Sequence, residues 1–307
     1  MTAATEATSG KPAGPATSVW PAPAKLNLFL HIVGRRADGY HLLQTVFQLV
    51  DLYDDIAITP RTDGVVERLG GLVHVPPEQD LVVRAALALR AFVGRPELGA
   101  TLAVTKRIPE GAGMGGGSSD AATTLVALNH LWGLGLPVET LAELGLQLGA
   151  DVPVFVHGHT AWGEGVGENL TPLALPARWF AVIHPGIAVP TGPLFQAPDL
   201  TRDSPVLTIR GSVAALQASP GEESSSGSVF GPGFRNDCEA VATRLHPPVR
   251  AALGWLQRSG PARLTGTGAC VFAPHATQAA AEASLAGLPA AWRGFVVRSL
   301  GSTHWPV

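Results

Sequence analysis

Residues 109–125 read PEGAGMGGGSSDAATTL, and this stretch decides how the rest of the chain is read. A short strand at Leu102–Thr105 leads into it, and Asp120–Leu134 beyond it carries apolar residues at helical intervals. A loop that opens a helix points unpaired backbone N–H groups at an anion, with the helix dipole behind them. Gly111, Gly113, Gly115, Gly116 and Gly117 remove side chains that would hold a phosphate away. They also permit the positive φ that a tight cradle requires. Ser118 and Ser119 are placed to cap the helix and to donate to phosphate or help hold a metal.

The stretch formally contains GxGxxG at Gly111, Gly113 and Gly116. A dinucleotide fold, however, requires a second strand ending in Asp or Glu about twenty residues on. Here the helix runs into Gly133–Pro137, and Glu139 opens another helix. No lysine follows the glycines as in GxxxxGK[ST], and a protein-kinase loop would lie between two strands.

The chain has 307 residues, 46% hydrophobic and 15% charged, enough for two domains with substantial cores. A formal net charge of -3 offers no broad attraction to nucleic acid or anionic lipid, so phosphate chemistry must rest on a local site. No apolar run is long enough to span a bilayer, and residues 1–20, rich in Ala, Thr, Ser, Gly and Pro, are expected to be a flexible tail. Cys238 and Cys270 form no CxxC pair and suit free thiols in a reducing cytoplasm. Lys11, Lys25 and Lys106 are the only lysines, which makes their placement informative.

Strands are expected at Leu26–Val33, Tyr40–Val50, Asp55–Thr59, Trp179–Ile183, Ala269–Ala273 and Gly294–Leu300, with a turn at Gly34–Gly39. Helices are expected at Leu81–Val93, Val138–Leu148, Asp237–Leu245, Val249–Arg258 and Thr277–Leu285. Pro185–Pro198 reads as a Pro-rich connection, and Ser219–Gly233 as a polar, mobile loop. Strands and helices mix without strict alternation, which favours α+β over a doubly wound sheet. A composition shift at Gly163–Gly167 suggests a boundary, giving a tail at 1–20, a first domain at 21–165 and a second at 166–307.

Two further constellations stand out. PAKLNLFL puts Lys25 and Asn27 on one face of a strand, and GADVPVF places Asp151 after a helix and before a turn at Pro153. Phosphoryl transfer needs an acceptor hydroxyl held in line, a carboxylate to orient or deprotonate it, and cations to offset phosphate charge. Read alone, Asp151 is equally a turn residue and Lys25 a solvated strand-edge charge.

Taken together, PAKLNLFLHIVGRRADGYHLL, KRIPEGAGMGGGSSDAATTL, GADVPVFVHG, GEGVGE, NDCEAVA and RLTGTGACVFA resemble the motifs of the GHMP kinases. That family is named for galactokinase, homoserine kinase, mevalonate kinase and phosphomevalonate kinase. The resemblance extends to Ala273 and covers most of the chain. It implies a two-domain α+β fold, with a ribosomal protein S5 domain 2-like N-terminal domain that binds ATP and a ferredoxin-like C-terminal domain.

The implied activity is ATP- and Mg2+-dependent phosphorylation of a hydroxyl, in a cytoplasmic monomer or homodimer. GRRADGYHLL resembles the branch that phosphorylates the 2-hydroxyl of a diphosphocytidyl methylerythritol in non-mevalonate isoprenoid synthesis. On this resemblance Lys25 and Asp151 flank the acceptor hydroxyl, and Asn27 positions the methylerythritol. Tyr40 and His41 receive the cytosine by stacking and hydrogen bonding, while Phe195 stacks on its other face with Thr191 nearby. Apart from the resemblance, Tyr40 and His41 read as a half-buried strand start and Phe195 as a core aromatic.

ATP is expected along Pro109, Glu110, Gly111, Ala112, Gly113, Met114, Gly115, Gly116, Gly117, Ser118 and Ser119. Lys106 could reach it or could lie on the surface. Asp80 stands where the branch commonly has Asn near the adenine, and Asp120 is expected to act as a helix N-terminal charge. Gly266, Thr267 and Gly268 resemble a third glycine motif packed against the loop. The metal ligands are not identified, and His157 with His159 lacks the further donors that zinc requires.

Overall fold

The structure, a computed structural model, describes residues 16–70, 75–217, 233–303 and 305. Most of the expected tail at 1–20 and loop at 219–233 falls outside the described residues. Two sheets organise the chain. The first contains β1 (Ser18–Arg35), β2 (His41–Arg61), β3 (Val66–Leu69), β4 (Gly99–Thr105), β5 (Ala161–Glu164) and β6 (Asn169–Pro172), in the order β3-β4-β2-β5-β6, with β1 paired to β2. The second contains β7 (Trp179–His184), β8 (Arg263–Leu264), β9 (Val271–His275) and β10 (Arg293–Arg298), ordered β10-β7-β9-β8 and antiparallel throughout.

Helices α1 (Leu81–Val93), α2 (Gly116–Leu131), α3 (Val138–Leu146) and α4 (Val152–His157) belong to the first half. With the first sheet they enclose a core that includes Trp20, Ile56, Leu89, Leu125 and Phe155. In the second half lie α5 (Thr191–Gln196), α6 (Ile209–Gln217), α7 (Glu239–Leu245), α8 (Pro247–Leu256) and α9 (Gln278–Ser284). A second core there includes Val241, Val249, Leu256 and Val271, and a third joins the halves through Leu26, Phe29, Trp162, Phe180 and Phe272.

β1 passes through all three cores, contributing Trp20 and Ala22 to the first, Ala24, Leu26, Leu28 and Phe29 to the third, and Leu30 and Ile32 to the second. A strand covered on both faces reads as a nearly continuous apolar run, as APAKLNLFLHI does. Its ladder with β2 slips at Pro23/Ala24, Asn27/Leu30 and Ile32/Gly34. Such bulges bend a strand and re-aim its side chains.

The expected strands Tyr40–Val50 and Asp55–Thr59 are one strand, β2. The polar DLYDD between them resembles a break, but its carboxylates have partners from distant segments. Asp51 Oδ1 accepts from Arg298 N at 2.6 Å, and Asp54 Oδ1 accepts from Ile108 N at 2.9 Å. Gly163–Gly167, where the sequence suggests a boundary, lies at the turn of the β5–β6 hairpin, so the first sheet continues to Pro172. The connection at Pro185–Pro198 contains α5. Helix α1 matches its expected span, with Asp80 as its N-cap accepting from Val82 N at 2.9 Å.

Candidate active site

The glycine stretch is anchored by alternation. Gly111, Gly113 and Gly115 adopt φ of +58°, +73° and +72°, while the side chains between them, Ala112 and Met114, are buried in the core that joins the halves. A Cβ at Gly113 would lie 2.1 Å from the Thr265 carbonyl oxygen, and one at Gly115 would lie 2.8 Å from the Phe155 ring. The Gly111 carbonyl accepts from Val189 N and Ala269 N, and the Ala112 carbonyl from Cys270 N. The second half thus grips the loop from behind.

Helix α2 starts earlier than expected, inside the glycine run. Its N-cap is Gly115 and no side chain caps it, so Ser118 and Ser119 lie within its first turn rather than at the cap. The N–H groups of Gly116, Gly117 and Ser118 therefore belong to the first turn, where no intrahelical carbonyl can receive them. This is the geometry that favours an anion.

Two cavities meet at the loop. The larger, about 890 Å³, is lined by Lys25, Asn27, Asp151, Tyr40, His41, Thr191 and Phe195. The smaller, about 420 Å³, is lined by Asp80, Lys106, Pro109, Glu110, Ala112, Gly116 and Gly117. Gly111, Gly113, Gly115 and Ser118 border both. Of the expected ATP residues, Met114 and Ser119, both buried, border neither.

Lys25 is held on all sides. Its Nζ donates to Asn27 Oδ1 at 2.5 Å and to the Gly113 carbonyl at 2.9 Å, and lies 3.3 Å from Asp151 Oδ2 and 5.7 Å from the Phe47 ring centre. Asn27 is fixed in turn: its Nδ2 donates to Thr45 Oγ1 at 2.9 Å, which donates to the Phe29 carbonyl at 2.5 Å. Thr265 Oγ1 accepts from Asn27 N at 3.0 Å and also contacts the Gly113 carbonyl at 3.2 Å, so it joins β1, the loop and the second half.

Asp151 does not precede a turn as expected. It is the N-cap of α4, with Pro153 in the helix's first turn, and makes no side-chain cap bond, which leaves its carboxylate facing Lys25 and the larger cavity.

Lys106 borders the smaller cavity but is already paired, at 2.5 Å from Asp54 Oδ2 and 2.6 Å from Asp120 Oδ2. Burial works against its charge, yet Asp120 and Asp54 outweigh burial and hold the ammonium above its usual pKa. Burial pushes the Asp120 carboxyl up while Lys106 pulls it down. Lys106 thus braces β2 against α2 beneath the loop, and Asp120 is a buried member of that brace rather than a bare terminal charge. Asp80, besides capping α1, is ion-paired with Arg68.

At the far end of the larger cavity, His41 stacks on Phe195 with ring centres 4.9 Å apart and planes at 21°. Tyr40 is 64% exposed at the rim. Among the described residues no group of three or more His, Cys, Asp or Glu is arranged to hold a metal, His157 and His159 included. The sequence also flagged neither Thr45, Phe47, Asp54 nor Arg202. Thr265 lies inside RLTGTGA, where Gly266, Thr267 and Gly268 drew attention and Thr265 did not.

A loop of backbone donors between two cavities, with a lysine–aspartate pair at their junction, defines a small-molecule phosphotransferase. Models of the GHMP kinase N-terminal and C-terminal domains match residues 80–159 and 215–294, and the chain belongs to the GHMP kinase family. It is 57% identical over 281 residues to the 4-diphosphocytidyl-2-C-methyl-D-erythritol kinase of Alkalilimnicola ehrlichii, covering 92% of this chain and 90% of that one. Against the enzyme of the same name from Xanthomonas campestris pv. campestris it is 54% identical over 294 residues, covering 95% and 93%. A crystal structure of 4-(cytidine 5'-diphospho)-2C-methyl-D-erythritol kinase superimposes with a TM-score of 0.77 at 33% identity, covering 93% of this chain and all of that one. Homoserine kinase from Cytophaga hutchinsonii shares the fold, with a TM-score of 0.69 at 19% identity over 93% and 95% of the two chains. Among the described residues no helix is long and apolar enough to cross a membrane.

Proposed function

We propose that the chain transfers the γ-phosphoryl group of ATP to the 2-hydroxyl of 4-diphosphocytidyl-2-C-methyl-D-erythritol. The observation that carries this reading is the meeting of two cavities at one glycine loop, with Lys25 and Asp151 at the junction. ATP occupies the smaller cavity, its phosphates over the first turn of α2. The acceptor occupies the larger, with its cytidine end toward Tyr40, His41 and Phe195 and its methylerythritol end at Asn27.

The chemistry then follows from this chain's own groups. Asp151 accepts a hydrogen bond from the acceptor hydroxyl, orienting its oxygen in line with the γ-phosphorus, and takes the proton as the new O–P bond forms and ADP departs. Lys25, buried and fixed by Asn27 and Gly113, offsets the negative charge on the transferring group without having to reorganise. The helix N–H groups do the same for the departing phosphates.

Ser118, which borders both cavities, and Asp151 are hard oxygen donors at the junction and fit a Mg2+ carried mainly by phosphate oxygens. When bound, that ion would neutralise charge on the β- and γ-phosphates. Similarity to relatives of the stated name at 54–57% identity supports the choice of acceptor.

The test is ATP consumption measured with the diphosphocytidyl substrate, homoserine and mevalonate in parallel. Turnover confined to the first is expected. Equal or faster turnover of either other alcohol rejects this acceptor while leaving phosphoryl transfer intact.

A further inference from the structure

His41 and Phe195 come from opposite halves of the molecule, one from the start of β2 and the other from α5. A single guanidinium ties them together. Arg202 Nη2 donates to the carbonyls of Phe195 at 2.9 Å and Ala197 at 2.8 Å, and Nη1 donates to that of Leu200 at 3.0 Å. Its Nε donates to His41 Nε2 at 3.2 Å.

An arginine has donors only, so the imidazole nitrogen that faces it must carry a lone pair. A neutral imidazole with Nε2 unprotonated bears its hydrogen on Nδ1, and Nδ1 is then a fixed donor. Among the described residues Nδ1 has no hydrogen-bond partner, and the ring borders the larger cavity. Burial first, then Arg202 and Arg35, hold the ring's pKa below its usual value, which keeps it neutral at pH 7.

The consequence is a choice between bases. Cytosine offers lone pairs at N3 and O2, whereas uracil carries hydrogen on N3, so a donor aimed at that edge welcomes the first and repels the second. A site whose hydrogen-bonding sense is fixed rejects a mismatched ligand strongly, because a buried donor is left facing another donor. We infer that Arg202 is a positioning residue that locks His41 as an Nδ1–H donor stacked on Phe195, and so selects cytidine over uridine in the acceptor. The inference rests on the proposed placing of the cytidine end in the larger cavity.

Long-range 15N–1H imidazole spectra of the ligand-free protein, followed by titration with CMP and with UMP, test both. Wild type is expected to show His41 protonated at Nδ1 only and to prefer CMP. In Arg202→Met, and in Arg202→Gln, whose amide both donates and accepts, both tautomers should be populated. The CMP:UMP affinity ratio should then fall by about tenfold, the scale of one mismatched hydrogen bond, with KM for ATP unchanged as the check on folding. An Nε2-protonated or doubly protonated His41 in wild type overturns the inference, as does an unaltered tautomer and ratio in whichever variant keeps its KM for ATP. If wild-type His41 signals ignore CMP, the placing of cytidine fails and the selectivity role fails with it. If they respond to CMP but the variants discriminate as before, Arg202 alone is wrongly assigned.

Discussion

Lys25 Nζ lies 3.3 Å from Asp151 Oδ2, yet the lysine side chain is 3% exposed and the aspartate 34%. The two halves of the pair are thus coupled differently to the rest of the fold. Removing the lysine strips the donor from Asn27 Oδ1 and one of two donors from the Gly113 carbonyl, which keeps Thr265 Oγ1; leaving a buried acceptor unpaired costs ~1–3 kcal/mol. Removing the aspartate's charge breaks no cap and leaves the remaining oxygen facing water. Asp151→Asn should therefore lower kcat by ~10²–10⁴ at nearly unchanged stability, the usual loss for a positioned acid or base. Lys25→Met should lower kcat to a similar degree and destabilise the protein as well. Steady-state kinetics with denaturant melts of both variants check this; near-normal turnover in folded Asp151→Asn removes it from the proposed role.

Much of the site was legible because the demands of phosphate binding are local. A cradle of N–H groups needs glycines close in sequence, and PEGAGMGGGSSD supplies them. The apolar spacing of Leu81–Val93 similarly places α1 without outside help. What the sequence conceals is whatever depends on partners far along the chain. DLYDD reads as a break until Arg298 and Ile108 are seen to satisfy Asp51 and Asp54. Lys106 reads as a free cation until Asp54, 52 residues away, is seen beside it. Arg202 gives no signal at all, since its meaning lies in a contact 161 residues distant.

Glycine substitutions separate the loop's backbone requirement from ordinary helix propensity. Gly113→Ala places a Cβ 2.1 Å from the Thr265 carbonyl oxygen at a φ of +73°, so backbone must shift and the junction with Thr265 must open. Loss of folded protein, or of ATP binding in any that folds, is the expected result. Gly254, inside α8, has nothing within 4 Å of an added Cβ. Gly254→Ala should stabilise by about 0.5–1 kcal/mol at unchanged activity, because alanine is the better helix former and has less unfolded-state freedom to lose. Thermal melts decide it: similar behaviour of the two variants would mean the loop tolerates what its geometry forbids.

The buried histidines should withdraw stability as the medium is acidified below neutrality, against an opposing contribution from Asp120, pushed up to about 7 by burial, and from Glu239, also pushed up by burial. His31, on β1, is buried against the second half, and its pKa is lowered, chiefly by burial, with Asp237 opposing and Arg235 and Arg263 adding to the shift. In the unfolded chain the ring titrates near its ordinary value of about 6.5. Below that pH the unfolded chain binds a proton that the folded protein resists, so stability present above about 6.5 is lost as pH falls toward the folded-state value. His41, His184 and His275 shift in the same direction and steepen the loss. Urea denaturation at several pH values between neutrality and mild acid should show His31→Gln losing less stability on acidification than the wild type. A profile that His31→Gln leaves unchanged rules out this origin.

Phe195 offers the sharpest separation of the two cavities. Its ring stacks on His41 and borders the larger cavity, while among the described residues the smaller one is lined from the first half. Stacking of a base on an aromatic ring is worth roughly 1–3 kcal/mol, so Phe195→Ala should raise KM for the diphosphocytidyl substrate by about 10- to 100-fold. KM for ATP should hardly move. Phe195→Leu keeps apolar volume against the second core but has no π-face, so it should repair stability more than affinity. The two Michaelis constants, measured with each substrate varied in turn, carry the decision. If both rise together, the residue acts through the fold, and the cytidine end of the acceptor must be sought elsewhere along the larger cavity.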